Sequence, residues 1–389
     1  MAAVTRSSVL GLLICLYIVP ASAQESIKKE GVIFPVVTPA TGICSKSIGF
    51  NKVVQPILDV DAPDGYGLDD RYRGVSYAIM GLGTSCSAGD KEACRAVYET
   101  SLLWAKAEAA KRSRAKSRND SKFWNDTLTV NLYVAAPMMA AYSFAHQQID
   151  IQSADQKLIK QWFATIVSRN EHLMHGEVYK GTTQAAGTPK SAHNHALVSA
   201  IAHMSLGILN GDDSMYRSAF ANWRAAVSSQ RKDGSMPIES RRGGRAIFYQ
   251  GRAMTALAAM AVIAENQGSD LWSHNSGKRN NFHNIVKFFI DFSEQPEVVF
   301  KYAKEMFSPG PARDHTWQEV REGGAIFGWL AAYATRFPNH ENIARIRNWD
   351  GKLNRYQQKL QFMLKSIDRD AQLADGWTIV EPICHYRKH

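Results

Sequence analysis

Two short stretches hold the residues best suited to chemistry. In SAHNHALVS (191–199), His193, Asn194 and His195 stand where a polar loop gives way to a small, apolar run. An asparagine at such a point caps a helix by satisfying its free backbone N–H groups. A cap alone leaves the two flanking imidazoles unexplained. In KDGSMPIESRRGGRAIFYQGR (232–252), Arg242, Arg245, Tyr249 and Arg252 follow at spacings of three, four and three. A helix running from about Arg242 puts all four on one face, and Gly243 and Gly244 leave that start open. Arginines by themselves read as a solvated basic face. A phenol among guanidinium groups reads differently, because positive charge favours the phenolate and brings tyrosine nearer to proton transfer at neutral pH.

The elements that must position these groups are helices. Apolar residues at three-four spacing predict helices over 97–117, 127–148, 154–174, 194–211, 213–230 and 245–267, with others at about 281–295, 320–337 and 341–366. Strand-like alternation is weak and confined to GVIFPVV (31–37) and GWTIVEPI (376–383). Several helices are apolar around much of their circumference, so they must pack between neighbours. Short connections alternate with longer ones at 178–191 and 306–314. That pattern predicts an all-α chain folded as an α/α toroid, an incomplete ring of antiparallel helical hairpins.

The N-terminus reads as an export signal. MAAVTRSS carries one arginine, VLGLLICLYIV is a short apolar run, and Ala21-Ser22-Ala23 offers a cleavage site, so residues 1–23 are expected to be removed. Residues 24–65, rich in Pro and Gly, read as an extended arm, and 66–389 as one helical domain. The expected location is periplasmic or secreted, with no membrane insertion. Loss of the signal removes only Arg6 and takes the formal charge from +10 to about +9. Such an excess on an exported protein suggests an acidic polysaccharide or anionic surface as partner, and export argues against nucleic acid. Cys44, Cys86, Cys94 and Cys384 then form two disulfides, for which three connectivities exist. No pair has the CxxC spacing of a zinc site, so neither metal nor cofactor is expected.

SAHNHAL and PIESRRGGRAIFYQGRAMTALAAMA resemble the bacterial alginate lyases of polysaccharide lyase family 5, which carry an Asn-Asn-His motif and a P-x-E-x-[KR]-R…R-A-x-x-Y segment. GWLAAYATRFP (328–338) is similar to their Trp-Leu-Glu-Pro-Tyr helix, and the likeness covers roughly 70–340. The resemblance implies an exported toroid that cleaves a polyuronate by β-elimination, with Asn194, His195, Arg242 and Tyr249 as its catalytic set. It also implies a Cys44–Cys94 bridge, which leaves Cys86 with Cys384. The sequence departs from the family pattern at His193, at Ala196-Leu197-Val198 and at Ala331-Ala332, positions that concern substrate contacts more than acid–base groups. Glucuronan lyases, which share this kind of ring, are the second home.

Elimination across C4–C5 removes a weakly acidic C5 proton beside a carboxylate whose charge must first be neutralised. Asn194, as an amide donor, and Arg242, as a planar fork, suit that task. His195 either holds the carboxylate or takes part in proton transfer. Tyr249 is the expected acid toward the leaving O4, and a syn geometry lets it serve also as base. His193, Trp124, Arg245 and Arg252 are the expected substrate-binding residues, while Tyr133, Trp104, Trp329 and His175 are weaker candidates. Two other readings use the same ring. A glycoside hydrolase needs two carboxylates, drawn from Asp69, Asp70, Asp233 and Glu239, but arginines beside Glu239 should lower its pKa, which is wrong for an acid. A non-catalytic polysaccharide-binding protein would bind uronate without turnover.

Overall fold

The computed structural model describes residues 25–37, 44, 52–64, 67–117, 120–169, 171–175, 190–242, 245–276, 280–302, 326–368, 380 and 382–385. In chain order the helices are α1 (Arg71–Ser87), α2 (Lys91–Lys106), α3 (Ser121–Val130), α4 (Ala136–Gln148), α5 (Ser153–Ser168), α6 (Glu171–Met174), α7 (Asn194–Asn210) and α8 (Asp213–Ser228). They continue as α9 (Pro237–Ser240), α10 (Ala246–Asn266), α11 (Phe282–Glu294), α12 (Trp329–Arg336), α13 (Glu341–Arg347), α14 (Arg355–Asp368) and α15 (Pro382–His385). Among the described residues the only strands are β1 (Asp59–Val60) and β2 (Arg112–Ser113), a two-residue parallel pair.

The helices start and stop where side chains settle their free ends. Asp90 accepts from the N–H groups of Glu92 and Ala93 at the start of α2, and Asp212 from that of Met215 at the start of α8. Gly211 ends α7 in the left-handed region at φ 68°, where glycine alone escapes a Cβ penalty. α3 and α4 form one rod broken by a π turn at Asn131–Ala135. Pro137 explains the break, since it lacks an N–H and its ring collides with the carbonyl four residues earlier in an α-helix.

The α3–α4 rod, α7, α10 and α12 lie side by side in chain order, and α8 packs on α7, α11 on α10 and α14 on α12. α1 and α2 cover α4. This is the expected α/α toroid. Trp104, Trp223, Trp329, Tyr142, Tyr216 and Phe163 fill the core with no exposed surface, so Trp104 and Trp329 pack the ring and are not sugar platforms. The close approach of α10 to its neighbour depends on Gly251, where a Cβ would stand 2.6 Å from Cβ of Ile326. The rod 121–148 and α10 are long and apolar enough to cross a membrane, but 100% and 89% of the respective windows are buried inside the protein.

Several expectations need correction. The helix expected over 97–117 ends at Lys106, and a positive φ at Glu108 and Ala110 marks the turn that follows. The helix expected over 341–366 is two helices, α13 and α14. GVIFPVV is not a strand: Ile33 and Phe34 are buried, and Ile33 N–H donates to Ser143 Oγ at 2.9 Å. Within the proposed arm 24–65, the N–H groups of Lys28 and Lys29 donate to Gln267, which fastens this segment to the end of α10. The signal segment 1–23 lies outside the described residues.

The disulfides are Cys44–Cys384 and Cys86–Cys94, not the pairing that the resemblance implied. Cys86 ends α1 and Cys94 opens α2, so the turn between these helices brings them together locally. Cys44–Cys384 spans 340 residues and Cys86–Cys94 spans 8. On chain entropy alone the long bridge should stabilise by about 6 kcal/mol and the short one by about 2–3 kcal/mol. Cys44→Ser should therefore lower the urea midpoint more than Cys86→Ser; the reverse order would show that loop closure is not what the long bridge contributes.

Candidate active site

α7 begins at the loop carrying His193, and the short α9 turn lies opposite. His193 is the N-cap of α7, with its Nδ1 accepting from His195 N–H at 3.1 Å. A backbone N–H can only donate, so neutral His193 carries its proton on Nε2, which has no partner among the described residues. Asn194 is the first residue of the helix and not its cap. Its backbone N–H donates to Glu239 Oε1 at 2.8 Å, and its Nδ2 lies 3.0 Å from both Glu239 oxygens. The expected amide donor is thus anchored on Glu239, and the end of Asn194 left without a partner among the described residues is Oδ1.

Arg242 is not on the helix that carries Tyr249. α10 starts at Ala246, with Arg245 as its N-cap residue, so the four-residue face expected from Arg242 to Arg252 does not form. Arg242 instead follows α9, where its N–H donates to the Glu239 carbonyl at 3.2 Å. Its guanidinium reaches across to lie 3.5 Å above the Tyr249 ring, a cation–π contact. Arg252 lies likewise over Phe248 at 3.8 Å.

One group of side chains results. The rings of His193 and His195 meet edge to face at 5.4 Å. Arg242 acts electrostatically on both histidines and on Glu239, and Arg252 acts on His195 and Glu239. Asn194 is fully buried, Arg242 and Tyr249 nearly so, and His195 and Arg252 are partly exposed. Charge interactions here operate with little water to weaken them.

Burial and the Arg242 charge push His193 down to about 3. Burial, reinforced by His193, Arg242 and Arg252, puts His195 well below the ordinary histidine value. Both imidazoles are therefore neutral near pH 7, the form able to accept a proton. Glu239 shows why charge read along the sequence misleads. Its arginine neighbours do favour ionisation, yet complete burial outweighs them and the carboxyl is raised. In the unfolded chain the two histidines titrate near 6.5. Below that value the unfolded state takes up protons that the folded state refuses, so stability is lost as pH falls from about 6.5 toward 3. The slope is about 1.4 kcal/mol per pH unit for each such histidine. Glu239 contributes in the opposite sense, its share present below the unfolded value and lost as pH rises through the folded one. Urea midpoints should fall from pH 7 to pH 5, and a flat profile would contradict neutral burial of these imidazoles.

Other expected residues lie elsewhere. Trp124 belongs to an aromatic group with Phe123 and His172, its ring 4.8 Å from the His172 ring, and Nε1 has no partner among the described residues. Tyr133 is buried within the π turn. His175 is exposed beside Glu171 at 3.6 Å. The hydrolase carboxylates do not assemble. Asp69 is held by Arg71 and Asp70 by Arg73. Asp233, despite burial, is brought down to about 2 by Lys301, Tyr302 and Ser235, which keeps it ionised and unfit as an acid. Glu239 is the residue missed as part of the site; its signal was an acid directly after the apolar Pro237-Ile238 pair in the PIES turn.

Comparison with known proteins agrees with this architecture. The family model described as Alginate lyase matches residues 79–299, more than half of the chain. A polysaccharide lyase of Stenotrophomonas maltophilia is 22% identical over 293 residues, covering 74% of this chain and 76% of the relative. An alginate lyase of Pseudomonas syringae pv. tomato is 24% identical over 207 residues, 53% of this chain and 50% of its own. The crystal structure of alginate lyase A1-III from Sphingomonas species A1 superposes with a TM-score of 0.59 at 18% identity, covering 79% of this chain and 83% of that one. A variant of A1-III complexed with tetrasaccharide superposes with a TM-score of 0.63, covering 90% and 89%. The chain belongs to the alginate lyase family and is a polysaccharide lyase.

Proposed function

We propose that this protein is exported and cleaves a β-1,4-linked polyuronate, polymannuronate in the first instance, by syn β-elimination. The observation that supports the reading is the placement of Arg242, which covers the Tyr249 ring, acts electrostatically on His195 and is joined to Asn194 through Glu239. Arg242, with its Nε lacking a partner among the described residues, supplies charge for the uronate carboxylate. The C5 proton leaves to a base, its electron pair forms the C4=C5 double bond, and the C4–O bond breaks. Tyr249 donates a proton to the departing O4. In mannuronate and glucuronate the C5 proton and O4 lie on one side, so Tyr249 and the neutral His195 both qualify as the base. Guluronate presents the opposite C5 configuration and should be a poor substrate.

The test is the rise in ultraviolet absorbance from unsaturated ends when defined polymannuronate, polyglucuronate and polyguluronate are added. Unsaturated product from either of the first two supports the proposal, and the better one names the polymer. Reducing ends without unsaturation would assign a hydrolase, and tight binding with no product a non-catalytic role. Export is tested by locating the protein in cell fractions.

A further inference from the structure

The turn that leads to Arg242 has no cap of its own. Met236 stands at the N-cap position of α9 without a side-chain hydrogen bond, and Pro237 follows. The Met236 carbonyl accepts from the N–H groups of Glu239 at 3.1 Å and Ser240 at 2.8 Å, and the Glu239 carbonyl accepts from that of Arg242. The N–H of Met236 points out of the turn and donates to Gln250 Oε1, on α10, at 3.1 Å. Gln250 directly follows Tyr249, whose ring lies 3.5 Å beneath the Arg242 guanidinium. A closed circuit results: Gln250 to Met236, Met236 to Glu239, Glu239 to Arg242, and Arg242 back to Tyr249. Gln250 is fully buried, and with Oε1 committed to Met236 its Nε2 has no partner among the described residues. A methionine would fill a similar volume without that unmet donor. What the amide adds is the acceptor.

We propose that Gln250 is a positioning residue for the lyase reaction: through the Met236 N–H it sets the distance between the turn that places Arg242 and the helix that bears Tyr249. The inference rests on the lyase reading above. Gln250→Met removes the acceptor, and it exchanges one unmet buried donor, Nε2, for another, the Met236 N–H. The thermal midpoint should therefore move little while the start of the turn is released. A displacement of about 1 Å in a positioned group costs up to about 10²-fold in rate. Gln250→Glu keeps an oxygen toward Met236 whether its carboxyl is protonated or ionised, and should hold the turn.

The experiment measures kcat with whichever polyuronate the wild type cleaves, for Gln250→Met and Gln250→Glu, and for Gln250→Met combined with Arg242→Ala. Gln250→Met should lower kcat by about 10–100-fold in the wild type, and Gln250→Glu should recover most of that loss. A residue acting through Arg242 gives strong non-additivity, so Gln250→Met should cost less than about 3-fold when Arg242 is already alanine. Equal losses in both backgrounds, or no loss in the wild type, would overturn the positioning role. Selective nitrogen-15 labelling of methionine gives a readout independent of turnover. The Met236 amide, assigned with Met236→Leu, should exchange slowly in the wild type and in Gln250→Glu, and should shift and exchange faster in Gln250→Met. The same exchange in all three would overturn the tie itself. A Gln250→Glu enzyme that keeps the slow Met236 amide yet turns over as slowly as Gln250→Met would also overturn the role. Absence of unsaturated product from every polyuronate would instead remove the lyase reading and the positioning role with it, while the Met236 amide would still report the tie.

Discussion

Tyr249→Phe should leave a folded protein that binds polyuronate and scarcely cleaves it, with kcat lowered about 10²–10⁴-fold, the range for loss of a positioned acid–base group. The change removes only the hydroxyl. The ring that Arg242 covers at 3.5 Å remains, and the surrounding α10 side chains are untouched, so the thermal midpoint should be preserved. Affinity for a short mannuronate oligomer, measured by calorimetry on the variant, should stay close to that of the wild type. An unsaturated product formed at the original rate would falsify the role given to Tyr249 and move acid–base work to His195.

Arg242→Lys should be nearly as harmful although the charge is kept. Lysine carries a compact ammonium in place of a planar fork. It can neither lie flat on the Tyr249 ring in the same way nor offer paired donors to a carboxylate. A fall of about 10²–10³-fold in kcat is expected, as for removal of an oxyanion donor. The KM-against-kcat split is decisive: a raised KM with unchanged kcat would mean that Arg242 binds ground state and transition state alike. In that case carboxylate neutralisation in the transition state would have to be assigned elsewhere.

Much of the architecture was legible in the sequence because long apolar helices announce themselves by period. α7 and α10 were found to within a residue or two of their ends, from the polar entry at Asn194 and the Gly211 stop on one and the Gln267 exit on the other. α1 was missed, and the reason is compositional. RYRGVSYAIMGLGTSCS carries glycines, serines and a threonine that read as loop, although packing against α2 and α4 makes it a helix. The two motifs of the site were legible as strings, but the string gave the wrong geometry for Arg242, which reaches Tyr249 from a separate turn. Glu239 was misjudged because adjacent arginines are visible in a sequence and burial is not. Tryptophans failed for a related reason: Trp104 and Trp329 carry the same letters whether they fill a core or face a sugar. The Cys44–Cys384 partnership depends on two distant stretches of chain returning to one place, which no local pattern encodes, whereas Cys86 and Cys94 meet across the single turn between α1 and α2.

The long bridge has a consequence for how the molecule is made. Of the four bridged cysteines Cys44 leaves the ribosome first, and Cys86 and Cys94 follow long before Cys384 is synthesised. Oxidation in order of appearance would trap Cys44 with one of the two middle thiols and strand the other. Correct pairing therefore requires either that Cys86 and Cys94 join each other at once, as their adjacent helix ends favour, or that early bonds be reshuffled after the last few residues arrive. Once closed, the bridge turns most of the polypeptide into a covalent circle, so a protease that nicks one loop between Cys44 and Cys384 releases nothing until a reductant is added.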